Sequence, residues 1–179
     1  MIPLLLLLLA AGDPPAPQIT SVKAAAPVRR NGLVATGTVT PLERRFNERL
    51  ANLFDTGDPL DLLGDTRGIY LDGFGAVFTA EVSLVTTPTR LFLPKIPKEL
   101  SDSVRQKKMQ RLPILQAAMK EMMHNMAATF IQVPDNQQMV LVVRFYYEPW
   151  EDLTGMPSQI VMRADRKSAL AGDVQVEKQ

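Results

Sequence analysis

The chain has 179 residues, 46% apolar and 22% charged, and Lys+Arg 20 against Asp+Glu 19 leaves a formal net charge of +1. This composition is ordinary for a soluble globular protein, and the balance lacks the clustered basic excess of a nucleic-acid surface. With no cysteine and one histidine, disulfides and thiol catalysis are excluded, and a zinc site would have only carboxylates to place beside His124.

The chain opens on an apolar stretch from Ile2 to Ala11 containing an unbroken leucine run over 4–9. As a helix it reaches about 15 Å at 1.5 Å per residue, too short for the ~20 residues a membrane crossing needs. It matches the apolar segment of a secretory signal. Ala10 and Gly12 fall at the −3 and −1 positions of a cleavage before Asp13, although no Lys or Arg precedes the leucines. Residues 1–12 are therefore expected to be a signal peptide, 13–30 a flexible Pro/Ala-rich linker, and 31–179 a single α+β domain. The protein is expected outside the cytosol, periplasmic or extracellular, with no stable membrane span after processing.

Along the domain, Leu33-Val34-Ala35-Thr36-Gly37-Thr38-Val39 alternates weakly and suggests an edge strand. Thr40-Pro41-Leu42-Glu43 then combines a cap, a first-turn proline and a capping-box acid. Leu42, Phe46, Leu50, Leu53 and Phe54 follow at helical spacing, with Gly57 as the stop. The clearest signal is a hairpin: a strand over 68–71, the turn Asp72-Gly73-Phe74-Gly75, and a strand over 76–85. In the second arm Ala76, Phe78, Ala80, Val82 and Leu84 share one face, while Val77, Thr79, Glu81, Ser83 and Val85 share the other.

Pro94 and Pro97 bound an irregular link, and a helical region runs from 97 to about 130. Pro113 is expected to kink or divide it. Val133-Pro134-Asp135-Asn136 reads as a turn, 138–148 as a strand, 149–157 as a loop and 159–164 as a shorter strand. Asp165 caps a small helix over 166–171 that Gly172 ends. The remaining polar residues are expected to fray. This order, α-β-β-α-β-β-α, predicts an α+β fold with an antiparallel sheet of about four strands packed on one side by helices.

Candidate chemistry is sparse. Met119, Met122, Met123 and Met126 surround His124 in sequence, a set that suits copper. At about 100° per residue, however, His124 lies opposite Leu115 and Met122, so the thioethers read as core filler and the histidine as solvent-exposed. Gly68, Gly73 and Gly75 lead into a strand rather than a helix, which marks a tight turn and not a phosphate cradle. No Gly-x-Ser-x-Gly elbow is present. The pairs Arg29-Arg30, Arg44-Arg45 and Lys107-Lys108 read as solvated faces.

Carboxylates remain, with Glu148, Glu151 and Asp152 around Trp150 and Asp72 on the hairpin tip. Paired acids can hydrolyse glycosides when held some 5–10 Å apart, but an aromatic loop is more often a contact surface. Tyr146, Glu148, Trp150, Glu151 and Asp152 are thus the candidate binding surface, with no catalytic residue, cofactor or metal site assigned. On the wetter strand faces Thr79, Glu81, Ser83, Arg144, Tyr146 and Arg163 form a second mixed surface if they align. The leading expectation is an exported, non-catalytic binding or structural domain of the cell envelope. Its partner would be an envelope protein or a glycan and not nucleic acid. The alternative is a secreted hydrolase using the acids near Trp150.

Overall fold

The computed structural model describes residues 32–87 and 96–179. The expected signal peptide and linker lie outside the described residues, as does the link over 88–95. The architecture is α+β, with three helices and an open, mixed sheet of six strands.

Helix α1 (Gly32–Ala51) carries Val39, Leu42, Phe46 and Leu50, all buried. This corrects the expectation of an edge strand over 33–39. The 3- and 4-residue spacing of the buried stripe extends back through Val39, and that periodicity outweighs the short alternation. Pro41 therefore sits inside the helix rather than at its start.

Strands β1 (Asp61–Leu62) and β2 (Arg67–Leu71) both pair antiparallel with β3 (Gly75–Ser83), one at each end of it. They form one interrupted edge. The 68–85 hairpin reading holds, and Ala76, Phe78, Ala80, Val82 and Leu84 face the core as expected. Ser83 and Val85 are buried as well, where the strand leaves the sheet. Gly75 is required at the turn. Its φ is 135°, and a Cβ there would lie 1.9 Å from the carbonyl oxygen of Gln138 on the neighbouring strand.

Helix α2 (Lys98–Thr129) runs for 32 residues as a single helix with Pro113 inside it, not as two. It joins β3 to β4 (Gln138–Phe145), and these strands are parallel, in register from Gly75↔Gln138 to Val82↔Phe145. The all-antiparallel expectation of about four strands is thereby corrected. A connection this long can carry the chain back across the sheet, which a parallel pair requires and a hairpin does not. The N-terminal half of α2 bears most of its charges. The C-terminal half supplies Leu115, Met119, Met122, Met123 and Met126 to the core, while His124 is exposed.

Strand β5 (Gln159–Asp165) returns antiparallel to β4. Asp165 accepts the Ser168 amide at 2.7 Å and so caps α3 (Arg166–Ala171), which ends at Gly172 with φ 84°. The tail does not fray. It forms β6 (Gln175–Lys178), antiparallel to β5. Val174 and Val176 pack against the core there, an apolar signal too short to register among polar neighbours. All three helices contribute to one core, on the sheet face that carries Phe78, Leu141 and Met162.

Candidate functional site

The loop between β4 and β5 gathers the candidate residues. It leaves the sheet at Phe145, whose amide donates to the Ser158 carbonyl at 2.9 Å, while the Tyr146 amide donates to Val82 at 2.9 Å. Pro149 and Trp150 then occupy a tight turn closed by the Glu151 amide on the Glu148 carbonyl at 3.0 Å. Its closing acid folds back, so that Glu151 Oε1 accepts the Glu148 amide at 2.9 Å.

The same carboxylate meets Lys108 of α2. Lys108 Nζ lies 2.7 Å from Oε1 and 2.6 Å from Oε2 of Glu151, with the two side chains only 1% and 4% exposed. The ammonium also reaches the Tyr146 carbonyl at 3.4 Å and sits 4.7 Å from the centre of the Tyr147 ring. A buried charge needs both a counter-ion and hydrogen bonds, and this constellation supplies each. Lys108 is thus no part of a solvated face, which corrects the reading of the 107–108 pair. The Tyr147 hydroxyl donates to Pro157 at 2.5 Å. Burial, and then the nearby Glu151 carboxylate, push its pKa from 10.0 up to about 12.

Asp152 turns the other way. Its carboxylate accepts from the Thr154 amide at 2.9 Å and the Thr154 hydroxyl at 2.7 Å, and lies 3.6 Å from Arg105. Those Thr154 hydrogen bonds first, and the Arg105 charge after them, hold it below the usual carboxylate range. Arg105 itself grips the loop by donating to the Thr154 carbonyl at 3.0 and 2.7 Å. Ser101 reaches the Trp150 carbonyl at 3.4 Å.

Two of the three loop acids therefore hold the loop in place. Glu148 is half-buried and makes no ion pair among the described residues, Trp150 is half-buried, and Tyr146 and Leu153 are exposed. Asp72 joins none of them. It lies in the β2–β3 turn, at the opposite end of the sheet, about 23 Å away along the eight residues of β4.

Sequence reasoning missed Arg105, Lys108 and Arg111, which recur every third residue on α2. That spacing was the available signal, since it puts them on neighbouring positions of one helix face. Arg111 is also buried. It donates to the Leu84 carbonyl at 2.5 Å and the Asp58 carbonyl at 2.7 Å, meets the Asp58 carboxylate at 2.6 Å, and stacks 4.4 Å from the Phe54 ring centre. The basic half of α2 thus clamps two loops, α1–β1 through Asp58 and β4–β5 through Glu151.

Among the described residues no group of three or more metal-ligating side chains occurs, and no helix is long and apolar enough to cross a membrane. Comparison with protein families, with curated proteins and with solved structures finds no match to this chain.

Proposed function

We propose that the protein is an exported, non-catalytic binding domain of the cell envelope, and that the β4–β5 loop is a contact surface for an envelope protein. The observation that carries this reading is the commitment of Glu151 to Lys108 at 2.6–2.7 Å in a buried setting. A carboxylate neutralised in this way and bonded to its own backbone is badly placed to donate a proton or attack a sugar. What the clamp provides instead is a pre-ordered loop. Its ordering entropy is removed before any partner arrives, which favours association. Tyr146, Leu153 and the half-buried Trp150 supply the apolar and aromatic contact, and Glu148 supplies polar specificity.

The test is site-specific photo-crosslinking in intact cells. A crosslinker at Tyr146 should give a discrete adduct, while one at Asn125 on the exposed side of α2 should not. Identical adduct patterns at the two positions would refute the assignment. Cleavage of a glycan that Glu148→Gln abolishes would establish the hydrolase alternative instead. Export is tested separately, by mass spectrometry of the mature N-terminus from the envelope fraction. A chain recovered from the cytosol with Met1 intact would overturn it.

A further inference from the structure

The sheet has a second face, on which no described helix packs. Cross-strand register places Ile69 opposite Val77, Val77 opposite Val140, and Val140 opposite Arg163. These four residues form one line across β2, β3, β4 and β5, about 14 Å long at ~4.8 Å per strand. Val140 and Val161 are buried yet stand apart from the helix-covered core. Ile69 is 54% exposed, and Phe74 at the adjoining turn is 43% exposed. A cavity of about 420 Å³ lies here, lined by Phe74, Val77, Gln138, Val140 and Arg163.

Arg163 sets the chemistry. It is exposed, and its side chain makes no hydrogen bond or ion pair among the described residues. The nearest acid on its own strand face, Asp165, is already bonded to the Ser168 amide at 2.7 Å and hydroxyl at 3.0 Å. Asp173, which lines the neighbouring pocket with Arg163, and Glu177, diagonal to it on β6, make no ion pair with it among the described residues. The site is thus an apolar floor closed at one end by an unpartnered guanidinium.

We infer that this face binds an amphiphilic carboxylate of the medium-chain fatty-acid type, head on Arg163 and tail across Val140 and Val77 towards Phe74 and Ile69. The planar guanidinium matches a carboxylate with two parallel hydrogen bonds. The volume falls within the range of small-molecule sites. A peptide laid along the same line is disfavoured. Its amides would be pressed against valines, while the sheet's own backbone groups there are already paired across the ladder. This site lies at the Gln138 end of β4, away from the β4–β5 loop, so it stands or falls independently of the reading above.

The experiment is calorimetric titration of the purified full-length chain with decanoate, kept below its micelle concentration. One-to-one saturable binding is expected. Arg163→Gln should weaken it about tenfold or more, Phe74→Ala less so, and Arg144→Gln, on the same face, should leave it unchanged. Decanol, with the same tail and no charge, and acetate, with the charge and no tail, should each bind at least about tenfold more weakly. Absence of saturable decanoate binding overturns the inference, as does equal binding by Arg163→Gln. A dimer in sedimentation that Ile69→Lys abolishes and decanoate does not would assign the face to a second copy and overturn it too.

Discussion

Replacement of Glu151 by alanine tests the central contact of the loop. It strands the Lys108 ammonium, 1% exposed, with one carbonyl at 3.4 Å and the Tyr147 ring face at 4.7 Å. Breaking a buried pair by removing one partner costs about 3–5 kcal/mol. The Glu148 amide also loses its acceptor at 2.9 Å, adding about 1 kcal/mol. A loss of about 4 kcal/mol or more is therefore expected, a large share of the ~5–15 kcal/mol that holds a domain folded. The double variant Lys108→Met/Glu151→Gln removes both charges and keeps an oxygen for the Glu148 amide. Because an ion pair exchanged for neutral groups of similar size is often close to neutral, it should lose less than about 1.5 kcal/mol. Urea denaturation followed by far-ultraviolet circular dichroism measures both, compared at unchanged slope. If Glu151→Ala falls within about 1 kcal/mol of the parent, or the double variant is damaged as badly as the single one, the buried-pair reasoning is refuted.

Arg111→Lys should lose about 1–3 kcal/mol in the same assay, because one ammonium cannot serve the Leu84 and Asp58 carbonyls and the Phe54 ring together. Gly75→Ala should lose about 3 kcal/mol or more, or yield no soluble protein, since the new methyl meets the Gln138 backbone at φ 135°. Gly57→Ala, where the space is open, is the matched control and should be tolerated. Stability should also fall as pH rises from about 10 to about 12. The unfolded chain gives up the Tyr147 proton first, while the folded phenol keeps it up to about 12. After discounting for the half-exposed ring the effect is about 1–2 kcal/mol. It is read as the difference in alkaline slope between the parent and Tyr147→Phe, and equal slopes would refute it.

Much of the local structure was legible because it depends on neighbours in sequence. The Asp72–Gly75 hairpin, the Asp165 cap with its Gly172 stop, and the methionine face of α2 follow from turn chemistry and periodicity within a few residues. The misreadings share a cause. Leu33–Val39 alternates like a strand, but only the position of Val39 above Leu42 in the folded helix reveals which period prevails. β6 owes its existence to the open edge of β5, which is invisible from Gln175–Lys178 alone. The sheet's mixed topology depends on where α2 returns the chain, and no local pattern encodes that.

The loop around Trp150 divides along the same line. Composition and spacing marked Tyr146, Glu148, Trp150, Glu151 and Asp152 as an acidic, aromatic segment, and the absence of cysteine and the single histidine narrowed the available chemistry before any fold was known. Only tertiary structure decided that Glu151 is buried on Lys108, 43 residues earlier in the chain, and that Asp152 turns back on Thr154. The ionic character of a carboxylate belongs to its residue type. Whether that charge meets water, a substrate or a lysine is set by long-range packing, which excludes solvent and brings distant residues within bonding distance.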